Sequence, residues 1–384
     1  MSTKLAAILG LMFVPVSVPA QGSHVESKPA VIGYVFPQNT ILKPTDIDGH
    51  SLTRINYAFA NIQGGRMVAG FSHDAENLAV LTTLRGANPS LKILVSVGGW
   101  LWSGGFSDVA LTPQSRAVFI ASVDDFLTRY DLDGLDIDWE YPGMTGAGHV
   151  FRSEDKANFT LLLKELRADF GRKQKRGGRR MILSIAAGAS DEFLAHTEMR
   201  EVQKYLDTVN LMSYDYYEPE GDKITGHHAP LFTNPADPKK ISADASVLAF
   251  EAAGVPAAKI VLGVPFYGHV WGRVADKNHG LYQPGQPIPN AYSPYSVIVD
   301  EMKTGEFERF WDPAASEPYL YNAGKQIFVT YDDPESISAK CSFVLKQRLG
   351  GVMFWDYAGD PSGTLLGTIN KQLGRATAAG KAVQ

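Results

Sequence analysis

Short apolar runs typical of buried strands recur eight times along the chain, and helix-like stretches separate most of them. Several runs are almost continuously hydrophobic, as expected for parallel strands that are covered on both faces. This alternation of eight strands with helices predicts an α/β fold, a (β/α)8 or TIM barrel. The predicted strands are Val31–Phe36, Arg54–Asn61, Lys92–Val97, Gly134–Glu140, Met181–Ala187, Thr208–Tyr214, Lys259–Pro265 and Gly351–Asp356. The predicted helices are Pro113–Tyr130, Glu154–Arg172, Thr197–Leu206, Ser242–Ala253 and Glu335–Leu349.

One interval breaks this alternation, because roughly seventy residues separate the seventh predicted strand from the last predicted helix. A loop of that length without structure of its own is uncommon in a compact domain. The interval is rich in tyrosine and proline and also holds Trp271 and Trp311. We therefore predict a small α+β insertion domain over residues 268–331, between strand seven and helix seven. It would emerge at the carboxyl-terminal face of the barrel.

The main alternative fold is an open doubly wound sheet, which would place a glycine-rich phosphate loop after its first strand. The segment Pro37-Gln38-Asn39 follows the first predicted strand here, and this argues against that alternative. Since one α/β barrel often exceeds about 250 residues, we assign residues 28–374 to a single catalytic barrel that carries the insertion.

The two ends of the chain are predicted to lie outside the barrel. Lys4 precedes an apolar run from Leu5 to Val18, and a small-residue cleavage pattern ends at Ala20. Residues 1–20 are therefore predicted to be a secretory signal peptide, and the mature protein is expected to be secreted, with the periplasm as an alternative. Residues 375–384 are predicted to be a disordered tail.

The net charge bears on the possible partners, and the cysteine content bears on disulfide formation. The chain has 384 residues and a formal net charge of −5, which gives no electrostatic reason to expect nucleic acid or an anionic membrane. A neutral polymer is compatible with this balance, and a monomer is expected. Cys341 is the single cysteine, so no intramolecular disulfide can form. Its apolar helical surroundings predict a buried thiol.

Candidate chemistry is concentrated in Asp133–Pro142, the fourth predicted strand. Side chains alternate along a strand, so Asp136, Asp138 and Glu140 share one face while apolar residues share the other. Burial and mutual repulsion raise the pKa of at least one of these crowded carboxyls. A carboxyl that stays protonated near neutral pH can act as a general acid. Because Pro142 ends the strand, Glu140 is expected at its carboxyl-terminal mouth.

Two other interpretations of the acids are weaker. A solvated acidic strand is disfavoured, because an apolar opposite face that ends in Trp139 indicates a covered strand. A metal site is disfavoured, because the spacing is not that of a calcium loop and no histidine cluster joins the acids. We expect neither a metal nor a cofactor. The pair His227-His228 lacks ligands at suitable spacing and is expected to lie in a solvated loop.

The acidic segment resembles the signature Asp-x-x-Asp-x-Asp-x-Glu of the family 18 glycoside hydrolases, the chitinases. Its four acids stand at Asp133, Asp136, Asp138 and Glu140. One subgroup of that family carries an α+β insertion at the place predicted here. Most of the other predicted strand ends also match the family, in order. This resemblance extends over nearly the whole predicted mature chain.

The resemblance implies roles for residues at several strand ends. Supporting roles around the acids are implied for Asp133, Ser96, Gly98 and Gly99. Contacts with the substrate are implied for Trp355, Trp100, Asp215, Met212, Tyr267, Tyr141 and Tyr34. The implied partner is chitin or a chito-oligosaccharide.

The resemblance also implies a retaining mechanism in which the substrate assists, an exception among glycosidases. Glu140 would protonate the glycosidic oxygen while the substrate's own 2-acetamido oxygen attacks the anomeric carbon, giving an oxazolinium ion. Asp138 would bind the acetamide N–H and share a proton with Asp136, and Tyr214 would hold the acetamide carbonyl. Glu140 would then act as base for the incoming water.

Two departures from the family pattern concern the flanking subsites. His269 stands where the family commonly has arginine, and Pro37-Gln38-Asn39 lies where the family often has a tryptophan. Both bear on chain-length preference rather than on the chemistry. Two alternatives remain: an endo-β-N-acetylglucosaminidase acting on N-glycans, and a non-catalytic chitin-binding lectin. Lectins on this barrel typically lose the acid that corresponds to Glu140, which this chain keeps.

Overall fold

The computed structural model describes residues 28–375, apart from the side chains of Asn290 and Ala291. The predicted signal peptide, residues 1–20, and all but the first residue of the predicted tail lie outside the described residues. The strands are β1 (Ala30–Val35), β2 (Arg54–Gln63), β3 (Arg66–Ala69), β4 (Lys92–Gly98), β5 (Gly134–Asp138), β6 (Ile182–Gly188), β7 (Thr208–Met212), β8 (Ile260–Pro265), β9 (Tyr267–Gly272), β10 (Gln286–Pro294), β11 (Glu308–Asp312), β12 (Glu317–Asn322), β13 (Ile327–Tyr331) and β14 (Gly351–Trp355). The helices are α1 (Asp74–Thr83), α2 (Phe106–Leu111), α3 (Pro113–Arg129), α4 (Asp155–Lys175), α5 (Asp191–Ala195), α6 (Met199–Val202), α7 (Ala243–Ala252), α8 (Tyr295–Lys303), α9 (Pro334–Gln347) and α10 (Thr364–Gln372).

Eight parallel strands close into a barrel in the order β1-β2-β4-β5-β6-β7-β8-β14, and β14 pairs back with β1. The remaining strand of this sheet, β3, forms an antiparallel hairpin with β2. Each of the eight predicted strands corresponds to one barrel strand. The predicted fold class, a (β/α)8 barrel, is therefore confirmed. Because all eight strands run in the same direction, their carboxyl ends open on one face.

A second sheet is inserted between β8 and α9. Its five antiparallel strands lie in the order β10-β9-β13-β12-β11, and α8 connects β10 to β11. This is an α+β unit between strand seven and helix seven of the barrel, as the fold prediction states. The inserted unit follows directly from the carboxyl end of β8 and therefore stands beside the mouth of the barrel.

Two barrel strands, β5 and β7, end two residues earlier than predicted, because serine side chains replace the backbone ladder. β5 ends at Asp138, and the N–H of Glu140 donates to Ser103 Oγ at 2.9 Å instead of to a neighbouring strand. β7 ends at Met212, and Ser213 Oγ both donates to the Gly263 carbonyl at 2.8 Å and accepts its N–H at 3.1 Å.

The predicted helices that correspond to α3, α4, α7 and α9 were found; α4 has no side-chain cap, and α5, capped by Ser190, was missed. Thr112, Ser242 and Asp333 each accept a hydrogen bond from the first turn of α3, α7 and α9, all of which were predicted. The helices α1 and α2 were missed, and neither has a side-chain cap. The helix predicted over Thr197–Leu206 is reduced to the four residues of α6.

The main hydrophobic core lies between the barrel strands and the surrounding helices, and Cys341 is buried in it, as predicted. A smaller cluster that includes Ile32, Val261 and Met353 fills the barrel interior. Among residues 28–375, no helix combines the length and the apolar character that a membrane span requires.

Candidate active site

The carboxyl end of β5 carries the three acids into the mouth of the barrel. Asp136 lies within the strand, Asp138 ends it, and Glu140 follows two residues later. Asp136 is fully buried and Asp138 is 4% exposed, whereas Glu140 is partly exposed. The structure thus brings the three acids together, and they run from the barrel interior towards its open face.

Four donors on four different strands hold the carboxylate of Asp136. Tyr34 Oη and Ser96 Oγ donate to its Oδ2 at 2.8 and 2.9 Å. Ser184 Oγ and Asn210 Nδ2 donate to its Oδ1 at 2.6 and 3.1 Å. Ser96 and Ser184 reach it because they are its direct neighbours in the register of β4, β5 and β6. Burial raises the pKa of Asp136, and these hydrogen bonds oppose that rise by stabilising the charged form.

A buried cation lies beneath the acids, and the sequence motifs did not identify it. Arg54 donates to Thr208 Oγ1 at 2.9 Å, and Thr208 donates to Asn210 Oδ1 at 3.1 Å. Since the amide oxygen of Asn210 accepts this bond from Thr208, the NH2 group of Asn210 faces Asp136. The guanidinium of Arg54 also lowers the pKa of Asp136. The available signal was an arginine at the start of a predicted barrel strand.

Burial raises the pKa values of the two outer acids. The pKa of Asp138 lies well above its usual range, and the charges of Glu140 and Asp136 raise it further. Asp138 Oδ1 has no hydrogen-bond partner within residues 28–375. Burial also raises the pKa of Glu140 to about 7, although a hydrogen bond from Tyr141 opposes the shift. Within the aspartate pair, Asp136 is the member whose charged form is stabilised by four donors.

The turn after β4 brings the backbone close to these acids. Gly98 and Gly99 have φ angles of +108° and +78°, in the left-handed region that favours glycine. A Cβ on Gly98 would lie 2.2 Å from the carbonyl oxygen of Asp138. Ser103, in the same loop, donates to that carbonyl at 3.0 Å and accepts the N–H of Glu140 at 2.9 Å. Sequence analysis did not select this serine, which fixes the backbone that carries both acids.

Asp133 lies at the opposite end of β5 from Glu140. Its carboxylate accepts the N–H of Ile93 at 2.9 Å and bonds with Arg85 at 2.7 Å and Arg179 at 3.3 Å. Asp133 therefore ties β4 and β5 together at the amino-terminal face of the barrel. This corrects the predicted role in supporting the acids, because the length of the strand separates it from them.

The segment after β7 places a hydroxyl and a carboxylate at the mouth. Met212 and Tyr214 are partly buried, and the hydroxyl of Tyr214 lies 4.0 Å from the sulfur of Met353. Burial raises the pKa of Tyr214 well above its usual range, so its hydroxyl keeps its proton. Tyr267 Oη donates to both carboxylate oxygens of Asp215, at 2.6 and 2.7 Å. Tyr267 is buried and orients Asp215, and its predicted contact with substrate stays a prediction.

The histidine pair is buried rather than solvated, which corrects the prediction. His227 Nε2 lies 3.0 Å from Asp312 Oδ2, and His228 Nδ1 lies 3.4 Å from Asp215 Oδ1. His269 Nε2 approaches the same Asp215 oxygen at 2.8 Å. Burial raises the pKa of Asp215, but the two histidines outweigh it and hold that pKa below its usual range. The prediction failed because the partners come from other segments, including the insertion.

Aromatic side chains stand at the carboxyl ends of two further strands. Trp355, at the end of β14, is partly exposed and stacks on Phe59 with a centroid distance of 5.4 Å. Trp100, just after β4, is 50% exposed, and its ring lies 6.5 Å from that of Tyr141. Tyr34, by contrast, is buried and donates to the inner aspartate of β5. Tyr34 therefore supports that aspartate, and its predicted contact with substrate stays a prediction.

A parallel barrel with a protonated carboxyl at its carboxyl-terminal face has the fold and site of a glycoside hydrolase. Residues 30–360 match the family model described as glycosyl hydrolases family 18. Chitinase A1 from Niallia circulans is 39% identical over 330 residues, which cover 81% of this chain and 47% of that protein. The match thus spans about half the length of that relative. Chitinase B from Serratia marcescens is 31% identical, and the match covers 98% of this chain and 85% of that protein.

Solved structures agree with these matches. A family 18 N-acetylglucosaminidase from Paenibacillus barengoltzii is 42% identical with a TM-score of 0.82, covering 90% of this chain and 99% of that one. A class V chitinase from Nicotiana tobaccum is 27% identical with a TM-score of 0.82, covering 91% of this chain and 100% of that one. This chain therefore belongs to glycosyl hydrolase family 18 and is a glycoside hydrolase. The resemblance carried by the acid motif is confirmed.

Proposed function

We propose that this protein is a chitinase, which hydrolyses β-1,4 linkages between N-acetylglucosamine units of chitin and chito-oligosaccharides. The observation that carries the proposal is the order of the acids along β5 and just after it: Asp136 held by four donors, Asp138 with a raised pKa, and Glu140 with a pKa of about 7 at the open face. Similarity to Chitinase A1 and Chitinase B supports the same activity.

In the first step, Glu140 gives its proton to the glycosidic oxygen as the bond to the anomeric carbon breaks. The oxygen of the substrate's 2-acetamido group forms a new bond to the same carbon, which leaves an oxazolinium ion. Asp138 Oδ1 is free to accept the acetamide N–H, since no residue within 28–375 donates to it. The single negative charge of the Asp136–Asp138 pair stabilises the positive charge that develops.

In the second step, water attacks the anomeric carbon and the bond to the acetamide oxygen breaks. Glu140, now ionised, takes a proton from the water and returns to its starting state. Two successive displacements at one carbon retain the configuration. The hydroxyl of Tyr214, which keeps its proton, donates to the acetamide oxygen, and Trp355 offers an aromatic face to the sugar ring.

The experiment is time-resolved mass spectrometry of products from the N-acetylglucosamine hexamer. The wild-type protein should cut the hexamer, and Glu140→Gln should bind it without cutting. The matched control is Glu301→Gln, which removes an exposed acid on α8 and should leave the rate unchanged. Rapid cutting by Glu140→Gln would refute the assigned role. Binding of the hexamer without cutting by the wild type would favour the lectin alternative.

A second candidate activity is the release of single N-acetylglucosamine units, which similarity to the Paenibacillus barengoltzii N-acetylglucosaminidase favours. The product series separates the two, because a chitinase yields internal fragments or dimers and the second activity yields monomer from the first time point. An N-glycan substrate in a parallel reaction tests the endo-β-N-acetylglucosaminidase alternative. Cleavage of that glycan alone would favour the latter enzyme.

We further propose that the protein is secreted and monomeric. The apolar run from Leu5 to Val18 and the cleavage pattern that ends at Ala20 support export, and the modest net charge of −5 is compatible with a neutral polymer as partner. Amino-terminal sequencing of protein from the culture medium should begin at Gln21. An intact leader on protein that stays in the cytoplasm would contradict secretion, and a dimer mass in light scattering would contradict the monomer.

A further inference from the structure

Three potential metal ligands from three separate segments converge beside the acids. Asp215 follows β7, His228 lies in the loop after it, and His269 belongs to β9 of the insertion. Their ligand atoms all lie within 4.8 Å of one another. Within residues 28–375, this is the one group of three or more histidine, cysteine, aspartate or glutamate side chains arranged in this way.

The spacing of these atoms is close to that of a zinc site. Zinc bonds of about 2.0–2.2 Å in a tetrahedron place the ligand atoms roughly 3.3–3.6 Å apart. The Asp215 oxygen lies 3.4 Å from His228 Nδ1 and 2.8 Å from His269 Nε2. All three ligand atoms lie within 4.8 Å of one another, so an ion would require side-chain movements of about 1 Å to bring every pair to the tetrahedral spacing.

The surroundings hold the ligands in place and leave one side open. Tyr267 donates to both oxygens of Asp215, and the backbone N–H of His228 donates to Thr330 Oγ1 at 3.0 Å. His269 is paired on both sides, with β10 and β13. The side chain of Asp215 is 33% exposed, so an ion can enter from the mouth of the barrel.

The donor set selects the kind of ion. Two imidazole nitrogens and one carboxylate oxygen suit zinc and neighbouring transition metals, whereas magnesium and calcium prefer oxygen ligands throughout. We propose that Asp215, His228 and His269 form a binding site for a divalent transition-metal ion such as zinc. The bound ion would inhibit hydrolysis by withdrawing Asp215 from the substrate. The inhibition rests on the proposed chitinase function, and the binding does not.

The first test is calorimetric titration of chelator-treated, full-length protein with zinc chloride, and with magnesium chloride as the comparison. Zinc should bind one to one and magnesium should not. His269→Gln and His228→Gln retain an amide able to donate to Asp215 but remove the imidazole ligand. Each should weaken zinc binding at least about tenfold, the lower limit seen even for outer-shell partners. His50→Ala is the control, because this exposed histidine precedes β2 at the opposite face of the barrel.

Absence of saturable zinc binding to the wild type, or equal affinity in the glutamine variants, would overturn the proposal. Should both variants fail to fold, cobalt added to the wild-type protein still decides the matter. Cobalt in a four-coordinate histidine–carboxylate site absorbs visible light strongly, and a spectrum like that of aqueous cobalt would overturn the proposal too.

Inhibition is tested separately on the hexamer. Zinc should raise KM with little change in kcat, and the effect should disappear in His269→Gln. If no substrate is cut, the calorimetry still tests zinc binding and the proposed function alone fails. If the hexamer is cut but zinc does not bind, this inference alone fails.

Discussion

Replacing Ser103 with alanine tests whether the loop after β4 positions the catalytic acid. Ser103 is 2% exposed, and its hydroxyl joins three backbone groups: it accepts the N–H of Glu140 and donates to the carbonyls of Asp138 and Gly99. Alanine keeps the methylene and removes the hydroxyl. The N–H of Glu140 then loses its partner in a region that water reaches poorly.

The expected magnitude follows from this orphaned N–H group. Leaving one buried donor unsatisfied costs about 1–3 kcal/mol of folding free energy. The Asp138 carbonyl loses less, because the N–H of Gly99 also donates to it at 2.8 Å. Glu140 must present its proton within hydrogen-bond reach of the glycosidic oxygen. If the backbone that carries Glu140 is no longer held by Ser103, kcat should fall as well. We expect about a tenfold fall in kcat, equivalent to roughly 1.4 kcal/mol.

Ser122→Ala provides a matched control. Ser122 is 3% exposed, accepts the N–H of Met67 at 2.8 Å and donates to the Phe119 carbonyl at 2.6 Å, but it lies on α3, away from the acids. Urea denaturation and steady-state kinetics on the hexamer should show similar losses of stability in both variants and a fall in kcat for Ser103→Ala alone. If both variants lose stability and both keep the wild-type kcat, Ser103 is structural and the reasoning is wrong.

Four further predictions concern Glu140, Arg54 and Trp355. Because burial raises the pKa of Glu140 to about 7 and a general acid must be protonated, kcat/KM should fall as pH rises through about 7; a profile flat to pH 9 would contradict this. Because the pKa of Glu140 is higher in the folded than in the unfolded protein, ionising this side chain at pH 8 destabilises the fold, and Glu140→Gln should raise Tm there. At pH 4 the side chain is protonated in both states, so the substitution should leave Tm unchanged. Arg54→Met removes the cation that lowers the pKa of Asp136, so the acidic limb of the kcat/KM profile should move to higher pH. Arg54→Lys keeps a positive charge and should return that limb to its wild-type position. Trp355→Ala should raise KM about 2- to 12-fold, which corresponds to the free energy of one aromatic contact. Trp355→Phe keeps an aromatic ring and should recover most of the lost affinity. An unchanged KM in Trp355→Ala would exclude stacking.

Regular periodicity allowed most of the barrel to be predicted. The eight strands were found because buried parallel strands are short, mostly apolar runs, whatever their neighbours are. The insertion was found because its length exceeds that of an ordinary loop. The order of the three acids along β5 and just after it also followed from alternation along one strand. These features depend on residues that are close together in the sequence, and so local physics determines them.

The environment of each acid depends on residues that are far apart in the sequence. Tyr34 and Asp136 are separated by 102 positions, and His269 and Asp215 by 54. No period or spacing connects such pairs, so the buried cation Arg54, the positioning serine Ser103 and the buried histidine pair were missed or misjudged.

The sequence alone determined that this chain forms a barrel with a row of carboxyls at one strand end, because hydrophobic periodicity and side-chain alternation are local. The tertiary structure alone decided how strongly the charged form of each carboxyl is favoured or disfavoured. That difference depends on burial and on donors delivered by other strands, and both exist only once the barrel has closed. The raised pKa of Glu140 and the four donors around Asp136 are therefore properties of the folded molecule, although both residues can be read directly from the sequence.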